Sequence, residues 1–307
     1  MVYQDISQIR TSASVVTVGS FDGVHLGHRM LLQRVVELAQ THGCRSLAVT
    51  FSPHPRMALD ATVPDRWLLS TQEEKFALIA QSGIDDILVL RFDRALAQMT
   101  AQEFMDEIID GKLHARCWVA GVNHSFGKDR QGNSATHVPP SMQVDVVRLK
   151  QSDAAGRISS STIRRLLSEG GLASANRMLG YHYTMSGKVV HGDHLGHTIG
   201  FPTANIEPEP HKLLPKEGVY CVRATVAGAA KTGMMYIGKR TIARDHECRA
   251  EVHLFDFEGD IYGQSLQVSF THRIRDNIRF ENAEQLARQL RQDKQACLHL
   301  PPHRERL

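Results

Sequence analysis

His25 and His28 stand three residues apart in GSFDGVHLGH, where the apolar run VVTVG ends and a helical pattern begins. Two imidazoles at that spacing share one face of a helix. Gly19 and Gly23 precede His25, and Gly27 separates the two histidines, so the backbone can turn sharply and leave room for a ligand. A helix N-terminus offers unpaired N–H groups and the positive end of its dipole, both of which favour an anion. Zinc is the competing reading, but no HExxH and no nearby Cys/His pair supplies a third and fourth ligand. Ordinary surface histidines, among the 17 in the chain, would leave the glycines unexplained. A pair that donates to the oxygens of a transferring phosphoryl or nucleotidyl group accounts for both.

A second cluster lies in GKVVHGDHLGHTIGFPTANI, residues 187–206. Gly192, Gly196 and Gly200 suit a loop whose backbone covers phosphates, although a turn-rich hairpin explains them equally well. Thr203 and Asn205 carry the hard oxygens that magnesium prefers beside nucleotide phosphates. Glu251 follows in RAEVHLFDFEGDIYG, where by itself it reads as a solvated strand residue. GMMYIGKR, residues 233–240, fits GxxxxGK but has Arg240 where a P-loop requires Ser or Thr, and its MMYI reads as a strand. A Walker-type ATPase is therefore excluded.

Elements must position these residues. Strands are expected at 15–18, 47–51, 87–90, 118–121 and 144–149, and helices at 30–40, 72–81 and 101–109. That alternation predicts a parallel sheet with ligands at the carboxyl ends of its strands. After a helical stretch at 161–179 the pattern becomes short strand-like runs (SGKVV, VYCVRATV, GMMYIG, AEVHLFDF and SLQVSF), which predict an antiparallel barrel closed by a helix at 283–297. A chain of 307 residues fits two domains, with a boundary near GYHYTMSG. No apolar run approaches the roughly 20 residues of a membrane helix, and MVYQDISQIR lacks signal-peptide character. Five scattered cysteines without a CxxC predict a cytoplasmic protein. A net charge of +3 without a Lys/Arg block argues against a nucleic-acid partner.

Together these stretches resemble the prokaryotic bifunctional riboflavin kinase/FMN adenylyltransferases, or FAD synthetases. GSFDGVHLGH is similar to the HxGH motif of nucleotidylyltransferases, and FSPHPR (51–56), GVNHSFGKDRQGN (121–133) and ISSSTIRRLL (158–167) follow in the family's order. GFPTAN resembles the riboflavin kinase motif that meets Mg-ATP. The resemblance covers nearly the whole chain and implies an α/β fold in two parts. Residues 1–182 would form a Rossmann-like nucleotidylyltransferase domain with a parallel sheet, and residues 183–307 an antiparallel β-barrel riboflavin kinase domain with a terminal helix.

The resemblance also implies roles. His25 and His28 would stabilise the α-phosphate of ATP, within a nucleotide-binding set of Gly19, Ser20, Phe21, Gly27, Ser160 and Arg164. By sequence alone, SSST before an apolar helix reads as an N-cap. Phe51, Pro53, Pro55, Asn123 and Phe126 would face the flavin. In the kinase, Gly192, Gly196, Thr203 and Asn205 would bind nucleotide, Thr203 and Asn205 would hold Mg2+, and Glu251 would take the riboflavin hydroxyl proton. Ser20, His124, His197 and Tyr236 stand where the family usually has Asn, Phe, Arg and Asn, and the turn around Ile242 also departs from its pattern. The implied ligands are riboflavin, FMN, FAD and ATP, on a monomer or weak homo-oligomer. Two rivals stay open: a chain with one active module, and a nucleotide- or flavin-binding regulator that has kept the fold without catalysis.

Overall fold

The computed structural model describes residues 1–122, 125–128, 132–133, 137–148, 152–153, 156–192, 196, 199–226, 228–239 and 248–300. The chain divides into two compact units, Met1–Pro64 with Gln72–Ser152, and Asp65–Thr71 with Asp153–Leu307.

In the first unit, β1 (Val2–Tyr3), β2 (Ser14–Val18), β3 (Arg45–Ser52), β4 (Asp86–Arg91) and β5 (Ala115–Gly121) belong to one parallel sheet. Short strands β6 (Ser125–Phe126) and β7 (Gly132–Asn133) pair with each other, and β8 (Gln143–Val147) completes the sheet in the order β1-β4-β3-β2-β5-β8. The chain moves outward from β2 through β3 to β4, then returns to lay β5 on the other side of β2. This reversal makes a switch point at the carboxyl ends of β2 and β5, where such sheets bind ligands. GSFDGVH leaves the end of β2 at that point.

Successive residues of a strand face opposite sides, and both sides of this sheet are buried. Val15, Ala48, Cys117 and Val119 pack with α1 (Leu26–His42) through Leu31, Leu32, Val35 and Leu38. Val16, Leu47, Val49 and Trp118 pack on the other face with Phe104, Met105 and Ile109. The remaining helices of this unit are α2 (Pro55–Leu59), α3 (Gln72–Ala80), α4 (Arg94–Gln98) and α5 (Ala101–Glu103). The helix expected at 101–109 becomes π-helical at Phe104–Asp110, with Gly111 N–H bonding the Asp106 carbonyl at 2.9 Å. The wider turn places Phe104, Met105 and Ile109 together on the sheet.

In the second unit, short strands β9 (Ser152–Asp153) and β10 (Gly156–Arg157) precede α6 (Ser160–Glu169) and α7 (Leu172–Leu179). The single helical stretch expected at 161–179 is thus broken, at Gly170, whose φ of 90° ends α6. α7 packs with the barrel: buried Asn176 donates to the Phe270 carbonyl at 2.9 Å and accepts from Tyr183 N–H at 2.8 Å. Contacts therefore group residues 153–182 with the barrel.

The barrel closes in the order β11 (Thr184–Val190), β12 (Ala204–Pro208), β15 (Cys248–Leu254), β14 (Ala229–Lys239), β13 (Gly218–Val226), β16 (Ser265–Arg275), with antiparallel pairs throughout. Five of these strands coincide with the expected runs; β12 does not, because it hides inside the GFPTANI motif. The terminal helix α8 (Ala283–His299) is tied to β16 by Arg275, whose Nη2 meets buried Asp293 at 2.7 Å. Among the described residues, no helix is long and apolar enough to cross a membrane.

Candidate active sites

In the first unit His25 is not a helical residue, as its spacing suggested, but the N-cap of α1. Its Nδ1 accepts the His28 backbone N–H at 3.3 Å. An accepting Nδ1 carries no proton, so neutral His25 holds its proton on Nε2 as a donor. The His28 ring stacks on His25 with centroids 3.7 Å apart, and Phe21 meets His28 edge-on at 5.3 Å. His28 Nδ1 is buried and has no hydrogen-bond partner. Burial, and then the neighbouring His25, hold the His28 imidazole well below its usual pKa of 6.5. His28 is thus held neutral, stacked on the capping His25 ring, with a polar atom left for a negatively charged ligand to engage.

The loop that delivers this pair is strained. Phe21 and Val24 adopt φ of 49° and 31°, a left-handed region that L side chains rarely enter, beside Gly23 at 77°. Such conformations cost about 1–3 kcal/mol each and persist where surrounding packing enforces them. Phe21 and Val24 are both fully buried. Ser20 and Gly19 lead into this turn, and Gly27 is the second residue of α1.

Among the residues that the resemblance assigns to the flavin, Phe51 near the end of β3 meets Phe92 edge-on at 5.6 Å. A cis Ser52–Pro53 peptide follows, and Pro55 begins α2. Phe126 is buried and packs against Phe104 and Trp118, with ring centres 5.9 and 5.6 Å away. Asn123 and His124 lie outside the described residues.

Two buried charges escaped the sequence reading. Lys75 on α3 sends Nζ to Thr50 Oγ1 at 3.1 Å and to the Phe51 carbonyl at 3.3 Å. Burial pushes its ammonium down to about 8, opposed by the charge of Asp22, which is itself 2% exposed. The available signal was a lysine four residues before Ile79 on the buried stripe of α3.

Ser160 and Arg164 belong to α6 in the second unit. Ser159, not Ser160, is the N-cap, accepting Thr162 N–H at 3.2 Å. Arg164 Nε donates to the Trp67 carbonyl at 2.9 Å while its guanidinium lies 3.4 Å from the Trp67 ring centre. Trp67 fixes that arginine, and nothing in the sequence pattern pointed to it.

In the barrel, strand register gathers what the chain separates. Asn205 on β12 pairs directly with Glu251 on β15, and Glu251 pairs with Tyr236 on β14. Directly opposed side chains lie on one face, about 5 Å apart. Ala250 and Val252 point into the core, which sends Glu251 outward, where Arg249 approaches it at 3.7 Å. His253 packs against Phe201 and bonds the Pro202 carbonyl at 2.7 Å through Nδ1. It holds the turn before Thr203, another residue the sequence reading missed.

Gly192 and Gly196 sit hard against this row. A Cβ on Gly192 would fall 1.9 Å from Asn205 Nδ2, and one on Gly196 2.2 Å from the Phe201 carbonyl and 3.2 Å from Thr203 Oγ1. His191, just before Gly192, stacks on Tyr262 of the DIYG stretch at 3.9 Å. His197 and Ile242 lie outside the described residues. Among the described residues no group of three or more His, Cys, Asp or Glu could hold a metal. The oxygens of Thr203, Asn205 and Glu251 instead fit a hard cation held together with phosphates.

Known proteins resemble both halves of the chain. The FAD synthetase family model matches residues 7–162, and the riboflavin kinase model matches residues 179–300. A bifunctional riboflavin kinase/FMN adenylyltransferase of Listeria monocytogenes is 37% identical over 92% of this chain and 90% of its own length. The chain belongs to the bifunctional riboflavin kinase/FMN adenylyltransferase family. Its relative of the same name in Escherichia coli K12 is 35% identical over 94% of this chain and 93% of that protein. A solved structure described as a macrolide-efflux protein from Streptococcus pneumoniae shares the fold, with a TM-score of 0.88 and 31% identity over 98% of this chain and 99% of that one.

Proposed function

We propose that this bifunctional riboflavin kinase/FMN adenylyltransferase runs its two phosphorus transfers on separate residue sets. The enzyme phosphorylates riboflavin to FMN with ATP, then adenylylates FMN with ATP to give FAD and pyrophosphate. Supporting the assignment, the stacked His25–His28 pair closes the β2 end in one unit, while Asn205 and Glu251 stand in register in the other.

In the kinase, Glu251 accepts the proton of the riboflavin 5′-hydroxyl as that oxygen attacks the γ-phosphorus and ADP leaves. Thr203 and Asn205 would hold magnesium, with Gly192 and Gly196 close to their side chains. Magnesium, when bound, screens the charge that builds on the transferring group. In adenylyl transfer, an FMN phosphate oxygen attacks the α-phosphorus and the bond to pyrophosphate breaks. His25 Nε2 and His28 donate to the α-phosphate, whose charge reverses the conditions that keep His28 neutral. Gly19, Ser20, Phe21 and Gly27 shape the nucleotide loop, Ser160 and Arg164 are assigned to the triphosphate by their motif, and Phe51, Pro53 and Pro55 to the flavin. The scattered free thiols Cys44, Cys117, Cys221 and Cys297 support a cytoplasmic enzyme, and the reading takes it as a monomer or weak homo-oligomer.

The test is a chromatographic time course of the purified protein with riboflavin, ATP and magnesium. FMN should rise and then fall as FAD appears. FMN accumulating without FAD would leave a kinase alone, and no turnover even with added FMN would favour a binding regulator.

A further inference from the structure

We infer that Lys75 is a positioning residue for adenylyl transfer, pinning the nucleotide loop and the flavin-side strand end to one another. The inference rests on the assignment of adenylyl transfer to the His25–His28 site. Its effect runs through the end of β3 and, by way of Thr50, the loop that follows β2. Its Nζ donates to Thr50 Oγ1 and to the Phe51 carbonyl on β3. Thr50 Oγ1 in turn donates to the Ser20 carbonyl at 3.2 Å, inside the loop that follows β2. Asp22, in the same loop, faces the ammonium electrostatically. One buried side chain therefore holds both Phe51, where the flavin is expected, and Ser20 to Asp22, which lead directly to His25.

The chemistry explains why a lysine should occupy that place. A 7% exposed ammonium is costly to bury unless its donors are satisfied. A hydrophobic residue of similar length would fill the same volume, so packing alone does not call for the charge. Nζ can donate in several directions at once, and here it donates to the side chain of Thr50 and the carbonyl of Phe51 at the end of β3, while the charge of Asp22 lies in the loop after β2. The reaction needs an FMN phosphate and an ATP α-phosphorus brought into line, and each would be carried by one of the two tethered segments. Small misplacement of reacting groups costs rate far more than it costs binding.

Lys75→Met and Thr50→Val should each lower kcat for FAD formation from FMN by about tenfold or more, with the KM values for ATP and FMN changed less than threefold. Riboflavin kinase activity of the same samples should stay within twofold, as an internal measure of folding. Thr50→Val keeps the side-chain shape and removes the hydroxyl that accepts from Lys75 and donates to Ser20, so it decides the matter even where Lys75→Met fails to fold. A kcat within twofold of the parent in folded Thr50→Val or Lys75→Met, or a loss carried wholly by KM, overturns the inference. His28→Ala is measured alongside. If it still makes FAD, the site assignment itself fails; if it does not while the two variants keep their kcat, only the role of Lys75 fails.

Discussion

The two candidate sites are built in different ways. The first is local: Gly19 to His28 form one continuous turn, and the His25 ring both caps α1 and stacks on His28 three residues later. The second is assembled by register: Gly192, Thr203, Asn205, Tyr236 and Glu251 come from four stretches and meet only because β12, β15 and β14 pair as they do. A local site depends on helix capping and strained backbone. An assembled one depends on the closure of the whole barrel.

That contrast can be broken most sharply by crossing single mutants. Glu251→Ala should reduce riboflavin phosphorylation by about 10²–10⁴-fold, the usual range for a lost general base, while FAD still forms when FMN is supplied. His28→Ala should do the reverse, cutting FAD formation by about 10²–10³-fold as a lost phosphate donor and leaving FMN to accumulate. Steady-state rates for both steps on each variant check this, and either mutant losing both activities would refute separate sites.

A smaller effect tests the close approach in the barrel. Gly192→Ala puts a methyl where the Asn205 amide now lies, so kinase activity should fall about ten- to a hundredfold with adenylyl transfer unchanged. Equal kinase rates in Gly192→Ala and the parent would mean that Asn205 can move without consequence.

The smallest effect concerns stability of the local site. His28 resists protonation in the folded state, whereas in the unfolded chain it titrates near 6.5. The unfolded state therefore binds more protons as pH falls below about 6.5, and folding weakens by up to about 1.4 kcal/mol per pH unit. Thermal midpoints between pH 7.5 and 5.5 should fall less steeply for His28→Gln than for the parent. Matching slopes would show that this histidine does not carry the effect.

Much of this was legible in the residues themselves. Alternating strand and helix patterns predicted the parallel sheet, and five of the barrel strands stood out by turn spacing, because periodicity records which face each element buries. Local motifs were equally readable: the glycine-bounded histidines marked a helix start, where His25 caps α1 and stacks on His28. Other features show only in the packing. Phe126, assigned to the flavin by resemblance, also packs against Phe104 and Trp118. Ala204–Pro208 looked like a phosphate motif and is also a strand, because one stretch can serve chemistry with its outward side chains and the barrel with Ile206.

What the sequence by itself determined was the kind of chemistry, since imidazoles, hard oxygens and glycines at given spacings limit what a segment can bind. Only the tertiary structure decided which residues act together. Asn205 and Glu251 are 46 positions apart in the chain and become neighbours by strand register. Lys75 joins Thr50 and Phe51 through a helix laid against the sheet. Hydrogen bonds and side-chain opposition depend on distance in space, and the chain sets that distance only when it has folded.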